Sequence, residues 1–143
     1  SFIKIFMATA LVSDFKFLSD KACDSAEEFS TLYYNTYDKQ RHLLQKLYTD
    51  MSSVVWNGNG YHGLTSINDL FINLPVTSHE LSTLDCQPIS SVACPDRTSI
   101  LLVCEGAVKY GNEKQRKYFT QKFILMDVNG TWKIANDCFR FID

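Results

Sequence analysis

The first third of the chain carries apolar residues at steps of three and four. This stripe consists of Phe15, Leu18, Ala22, Ala26, Phe29, Tyr33 and Tyr37. Acidic residues, namely Asp20, Asp24, Glu27 and Glu28, fall on the opposite side. The spacing predicts an amphipathic helix of about six turns.

Two shorter helices are expected next. One covers residues 39–48, with Asp38 as its N-cap and with Leu43, Leu44 and Leu47 facing inward. The other begins near Thr65 or Ser66 and ends at Pro75. Its inward residues are Ile67, Leu70, Phe71 and Leu74.

Beyond Pro75 the hydrophobic period becomes two, which predicts strands. These strands cover residues 80–89, 98–109, 118–128 and 131–142, and a short strand at 52–56 precedes them. The ILLVC run has no polar break, as expected of a strand covered on both faces. Asn129-Gly130 suits a type I′ hairpin turn. Helices followed by hairpin-linked antiparallel strands predict an α+β fold, with helices against one face of a curved sheet.

Residues 58–63, GNGYHG, match the glycine fingerprint of dinucleotide-binding folds. That site requires alternating strands and helices with a parallel sheet, whereas here the match lies after two helices and only hairpin-linked strands follow. Asn57-Gly58 and Asn59-Gly60 both suit a positive φ. We therefore interpret the segment as a turn and expect no nucleotide cofactor.

Length and charge narrow the class of protein. We expect residues 7–143 to form one domain, and we interpret residues 1–6, SFIKIF, as a cloning remnant or a disordered extension. A net charge of −2 gives no field that would attract nucleic acid. We interpret the cluster of basic residues in 109–122 as the solvated face of a hairpin. No apolar run approaches the roughly 20 residues of a membrane span.

The five cysteines form no C-x-x-C pair, and the closest two are eight residues apart. We expect a reduced, intracellular protein whose cysteines pack as small apolar residues. The histidines, His42, His62 and His79, lack metal-ligand spacing and are interpreted as scattered surface residues. No metal site is therefore expected.

An enzymatic alternative follows from the architecture. A curved sheet folded over helices encloses a cone, in which a buried carboxylate and a tyrosine could abstract a proton. The candidates are Asp85, Asp137, Tyr33 and Tyr37. Because the inward positions are filled with large apolar side chains, a packed interior is the stronger interpretation, with the tyrosines as core aromatics.

The binding hypothesis rests on the last strand. Alternation places Trp132, Ile134, Asn136, Cys138 and Arg140 on one face, and Lys133, Ala135, Asp137, Phe139 and Phe141 on the other. Both faces are largely apolar, so the one that does not pack on the helices is a candidate partner site. Arg140 there suits a bidentate pair with a partner carboxylate. An internal ion pair, or an arginine that extends to the rim, is the alternative.

Five segments in matching order resemble the nuclear transport factor 2 family and, within it, the small export-factor branch. They are EEFSTLYYNTYDKQRHLLQKLY, VVWNGN, LDCQP, GNEKQRKYFTQKFIL and WKIANDCFRF. The resemblance runs from about Asp14 to the C-terminus. It implies a cone of three helices on a strongly bent antiparallel sheet and a non-enzymatic protein without cofactors.

The resemblance also implies a partner. Members of this branch pair, sheet face against sheet face, with the matching domain of the large TAP-type RNA export factor. The heterodimer binds nucleoporin FG repeats and carries messenger RNA through the pore, so the chain would shuttle between nucleus and cytoplasm. By match of the CFRF segment, Arg140 would salt-bridge an aspartate of the large subunit, with Cys138 and Asn136 beside it. No residue-by-residue match supports the Ran-binding site of nuclear transport factor 2 itself, and a homodimeric Ran-binding transport factor is the alternative within the family. Neither RNA nor a membrane is expected to bind directly.

Overall fold

A computed structural model describes residues 2–89 and 98–142, with side chains from Asp20 onward. The helices are α1 (Phe2–Lys39), a 3₁₀ helix (Arg41–Leu47) and α2 (Leu64–Ile72). The strands are β1 (Tyr48–Trp56), β2 (Asn59–His62), β3 (Thr77–Pro88), β4 (Ser99–Tyr110), β5 (Lys117–Val128) and β6 (Thr131–Ile142). The predicted strands all form, within three residues of the expected bounds except at the start of β1.

The six strands form one sheet in the order β2-β1-β6-β5-β4-β3. Neighbouring strands are antiparallel except β1 and β6, which pair in parallel. The α+β prediction is confirmed, although the sheet is mixed rather than wholly antiparallel. Register shifts lie at Ser82 of β3, at Ala135 of β6, and between Tyr48 and Ser53 of β1. Such bulges increase strand bending and twist, as a cone requires.

The helices cover one face of this bent sheet. The predicted stripe on α1 is confirmed from Ala22 onward, since Ala22, Ala26, Phe29, Tyr33 and Tyr37 are all buried. The side chains of Phe15 and Leu18 lie outside the described residues. Phe119, Phe123 and Leu125 are among the sheet residues of the same core. None of the described helices combines the length and apolar content that crossing a membrane requires.

The segment after α1 differs from its prediction. It is a 3₁₀ helix preceded by Gln40, with no side-chain cap, and the second α-helix with Asp38 as N-cap does not form. Within the segment, Leu44 is buried while Leu43 and Leu47 are half-buried. Asp38 instead bonds to residues of β3, which competes with a role as a cap.

The GNGYHG segment forms a tight turn, a short strand and a helix start. Asn57 and Gly58 have φ values of 46° and 88° and connect β1 to β2 as a hairpin turn. Asn59 and Gly60 lie in β2, so the expected positive φ at this pair is wrong. Gly63, at φ 82°, precedes α2. The interpretation of the segment as a turn is confirmed, and so is the Asn129-Gly130 turn, at 54° and 84°.

Candidate partner-binding site

Strand β6 directs three side chains away from the helices. Asn136, Cys138 and Arg140 are exposed, whereas Asp137 and Phe139 between them are buried against the core. The three residues expected to share a face therefore do so. The helices leave this side of the strand open.

The same prediction placed Trp132 and Ile134 on this face, and that part is wrong. Ile134 is fully buried and pairs with Leu125, while Asn136 pairs with Ile124. Ala135 therefore has no residue opposite it. This β-bulge inserts one position and reverses the alternation, so the strand changes faces midway.

Neighbouring strands extend the open side into a continuous surface. Cys138 lies between Val55 of β1 and Lys122 of β5, and Arg140 pairs with Thr120. We define the outer sheet face as Val55, Leu101, Val103, Glu105, Ala107, Tyr118, Thr120, Lys122, Ile124, Asn136, Cys138, Arg140 and Ile142. Val55, Tyr118 and Ile142 are large apolar side chains that are 41%, 68% and 47% exposed. The face is thus partly apolar, with charges among the apolar groups.

Arg140 lies where this face meets the β1–β2 turn. Its Nη2 is 4.0 Å from the position that a Cβ on Gly58 would occupy. The guanidinium lines an open cleft of about 490 Å³ together with Asn57, Arg116, Lys117, Tyr118, Phe141 and Ile142. Three cations therefore line one cleft, which favours a carboxylate-bearing partner because arginine forms two parallel hydrogen bonds with that group.

The cations of the cleft differ in how they are engaged. Arg116 forms an exposed ion pair with Glu80 at 3.8 Å and donates to the Ser78 carbonyl. The Lys117 ammonium lies over the Phe141 ring at 5.4 Å. Within residues 20–89 and 98–142, no carboxylate pairs with Arg140. Because no carboxylate among the described residues neutralises it, the charge of Arg140 is available to a second polypeptide.

On the opposite side of the sheet, a carboxyl cluster fills the centre of the cone. Asp137 Oδ2 accepts hydrogen bonds from Tyr48 at 2.7 Å and Tyr33 at 3.4 Å, and Oδ1 accepts one from Gln121 Nε2 at 2.9 Å. Tyr34 donates to Gln121 Oε1 at 2.7 Å. Because each of these groups is buried and paired, the cluster is a closed polar network.

Burial raises the pKa of Asp137 to about 6, although the bonds from Gln121, Tyr48 and Tyr33 act in the opposite direction. Burial also raises the pKa of Tyr33 and Tyr48 well above the usual value. These perturbed groups are typical of active sites. Here, however, both carboxylate oxygens are occupied by protein side chains, and Asp137 is only 3% exposed.

The four candidates for proton abstraction are not brought together. Asp137 and Tyr33 meet, and the Tyr37 ring contacts that of Tyr33 at 5.8 Å. Asp85 is exposed and pairs with Val103 on the outer side of the sheet, so the grouping with Asp85 is wrong. Tyr48 and Gln121 were not predicted as partners of Asp137. They lie 89 and 16 positions from it along the chain, and nothing in the local sequence indicates contacts over such separations.

A second polar cluster ties α1 to β3. Asp38 Oδ1 lies 2.6 Å from His79 Nδ1, and its Oδ2 accepts from the His79 backbone N–H. Burial acts to raise the pKa of Asp38, but the bonds and charge of His79, together with Thr77, outweigh it and lower the pKa. The His79 side chain is only 2% exposed, so its interpretation as a surface residue is wrong. His42 and His62 are exposed as expected.

Metal ligands are not assembled in the part of the chain that the structure describes. There, no three His, Cys, Asp or Glu side chains lie close enough to hold an ion. Of the four cysteines that the structure describes, only Cys104 packs as a buried small residue, while Cys23 and Cys138 are exposed and Cys86 is half-buried. Cys94 lies outside the described residues.

Comparison with known proteins identifies relatives along nearly the whole chain. Residues 25–141 match the family model of the nuclear transport factor 2 (NTF2) domain. The chain is 45% identical to "NTF2-related export protein 2" of Homo sapiens, an alignment that covers 96% of this chain and 97% of that protein. It is 34% identical to the "NTF2-related export protein" of Caenorhabditis elegans, over 87% of this chain and 90% of that protein.

Solved structures share the fold. Nuclear transport factor 2 from Cryptosporidium parvum superimposes with a TM-score of 0.74 at 26% identity, over 87% of this chain and 98% of that one. A chain of the C. albicans Mtr2–Mex67 M domain complex gives 0.70 at 15% identity, over 84% and 94%. A putative scytalone dehydratase from Novosphingobium aromaticivorans gives 0.66 at 17%, over 92% and 89%. The last two likenesses concern the fold alone.

Proposed function

This chain belongs to the nuclear transport factor 2 family, and we propose that it is a non-catalytic adaptor in nuclear export. It pairs through its outer sheet face with the matching domain of a large TAP-type RNA export factor, and residues 7–143 act as one domain. The names of its relatives support an export role. The observation that carries the pairing is the exposed Arg140 on a partly apolar face.

The outer sheet face has the properties of a specific interface. Its exposed apolar side chains gain from being covered, since removing apolar surface from water is favourable by about 25 cal/mol per Å². Arg140 adds specificity, because a charge buried at an interface is tolerated only when it is paired. Cys138 and Asn136, next to Arg140 on β6, complete the contact. An interface of roughly 1,600 Å² in total is expected.

The pairing has a precedent in the fold, since one structural neighbour comes from a complex of two proteins, Mtr2 and the Mex67 M domain. In the proposal, the heterodimer rather than this chain alone binds nucleoporin FG repeats. It carries messenger RNA through the nuclear pore and shuttles between nucleus and cytoplasm. The formal charge of −2 suits a stabilising subunit better than a direct RNA-binding protein.

The buried carboxyl cluster supports the non-catalytic part of the proposal. The fold is shared with a putative dehydratase, and Asp137 has the raised pKa of a candidate base. A general base must reach the proton that it abstracts, whereas Asp137 is enclosed by Tyr33, Tyr48 and Gln121. The network thus acts as a structural plug of the cone.

Coexpression with the NTF2-like domain of the large export factor, followed by size-exclusion chromatography with light scattering, tests the pairing. The proposed pairing predicts one peak with the mass of a 1:1 heterodimer. Separate elution of the two chains would contradict it. A stable homodimer that excludes the partner domain would favour a self-associating transport factor, the alternative within this family.

A further inference from the structure

Two thiols from distant parts of the chain meet on the helix side of the sheet. Cys23 of α1 and Cys86 of β3 are 63 positions apart, yet their Sγ atoms are 3.0 Å apart. A disulfide bond is about 2.05 Å long, so the sulfurs need to approach by only about 1 Å. This contact has no part in the proposed pairing with an export factor.

We propose that Cys23 and Cys86 form a reversible disulfide that fastens α1 to the sheet. Cys23 is exposed and is therefore the thiol that meets a dissolved oxidant, whereas Cys86 is half-buried behind it. Because the two sulfurs already touch, the second step is intramolecular and has a high effective concentration.

The oxidant belongs to the class of small disulfides, such as oxidised glutathione. The Cys23 thiolate attacks one sulfur of the oxidant and expels the first small thiol, which leaves a mixed disulfide. Cys86 then loses its proton, attacks Sγ of Cys23 and expels the second small thiol. Two protein thiols are thus oxidised to one disulfide, while the oxidant is reduced to two thiols.

The environment of Cys86 indicates that it reacts second, after Cys23. Burial raises its pKa to about 12, with further contributions from contact with Cys23 and from the charges of Asp85 and Glu27. A thiol with so high a pKa is almost entirely protonated at neutral pH, so it seldom attacks an oxidant in solution. Cys86 therefore reacts with the oxidised Cys23 rather than with the oxidant itself, because the two sulfurs are already in contact.

The disulfide would close a loop that contains the 3₁₀ helix, β1, β2 and α2. Closing so long a loop restricts the unfolded chain and stabilises the fold. Cys86 pairs with Leu102, which is fully buried, so the link lies on the inner side of the sheet. The outer sheet face keeps its shape in both redox states, and partner binding is unaffected by the link.

The full chain carrying Cys94→Ser is the sample for the test, since a tryptic digest then gives peptide 22–39 with only Cys23 and peptide 47–97 with only Cys86. The protein is incubated with oxidised glutathione, alkylated and mapped by mass spectrometry without reduction. The expected product is the two peptides joined, with a mass 2 Da below the sum of the reduced peptides. The melting temperature should rise by roughly 5–15 °C and fall back on reduction.

Matched variants show which cysteines form the disulfide. Cys138→Ser, which removes an exposed thiol on the outer sheet face, should leave the link and the temperature shift intact. Cys23→Ser and Cys86→Ser should each abolish both. Recovery of peptides 22–39 and 47–97 as separate glutathione adducts would overturn the proposal. So would joining of either peptide to the one that contains Cys138, or a link between two molecules.

Discussion

The hydroxyl of Tyr48 donates a 2.7 Å hydrogen bond to Asp137 Oδ2 and thereby joins the first strand to the last at the centre of the core. Tyr33 of α1 and Gln121 of β5 complete the contacts of this carboxylate. Four elements therefore share one buried acid. Its protonation and its partners should influence the stability of the whole domain.

Stability should fall as the buried acid ionises. The pKa of Asp137 is about 6 in the folded protein and about 3.9 in an unfolded chain. Folded Asp137 holds its proton more tightly, so its stabilising contribution is complete below pH 4 and is lost as pH rises through 6. Wild type should therefore lose roughly 2 kcal/mol relative to Asp137→Asn between pH 4 and pH 7.

Urea unfolding of both proteins across this pH range measures the difference, in which the other titrating groups cancel. Asp85→Asn, which removes an exposed carboxyl on the other side of the sheet, is the matched control. A constant difference between wild type and Asp137→Asn from pH 4 to pH 7 would show that the carboxyl does not titrate as described.

Arg41 should contribute strongly to the stability of the segment that connects α2 to β3. Its guanidinium donates to the carbonyls of Phe71, Leu74 and Pro75 and to Thr77 Oγ1, and it lies over the Tyr37 ring. Arg41→Ala leaves the carbonyls of Phe71, in the last turn of α2, and of Leu74 and Pro75, just after it, without these donors. A loss of about 2–4 kcal/mol is therefore expected in chemical unfolding.

Arg41→Lys should recover only part of that loss, because lysine cannot reproduce the planar set of donors. The control is Arg116→Ala, since this arginine forms an exposed ion pair at 3.8 Å and should cost less than about 1 kcal/mol. Equal losses for Arg41→Ala and Arg116→Ala would contradict the assignment.

Gly106 should tolerate no side chain. A Cβ at this position would lie 2.2 Å from the Glu80 carbonyl oxygen and 3.0 Å from the Leu81 Cα, both of which are backbone atoms. The clash falls beside the bulge in β3, where the two strands approach closely. Gly106→Ala is expected to destabilise the fold by about 3 kcal/mol or more.

Gly60→Ala provides the comparison, because a Cβ there meets nothing within 4 Å. Thermal unfolding should show a large drop in melting temperature for Gly106→Ala and little change for Gly60→Ala. Similar melting temperatures for the two variants would mean that β3 and β4 do not approach as described.

The sequence correctly predicted those features that depend only on local periodicity and turn chemistry. The α1 stripe through Tyr33 and Tyr37, the bounds of β6 and the Asn129-Gly130 turn follow from local spacing and turn chemistry. Strand alternation alone placed Asn136, Cys138 and Arg140 on one face, because their stretch of β6 contains no bulge.

Other features depend on contacts between distant residues and could not be read locally. The bulge at Ala135 is visible only in the pairing with β5, and it moved Ile134 to the inner side. Asp38 looked like a helix cap because its partner His79 lies 41 positions away. The contact of Cys23 with Cys86 likewise has no local signature.

In the proposed heterodimer, Arg140 on the outer sheet face is paired by the partner protein. The most direct test of this pairing is calorimetric titration of Arg140→Glu with the NTF2-like domain of the large export factor. Lys39→Glu, the same charge change at the exposed end of α1, is the control. This pairing predicts that Arg140→Glu weakens binding at least about thirtyfold, while Lys39→Glu stays within about twofold of wild type. Equal dissociation constants for the two variants would contradict it.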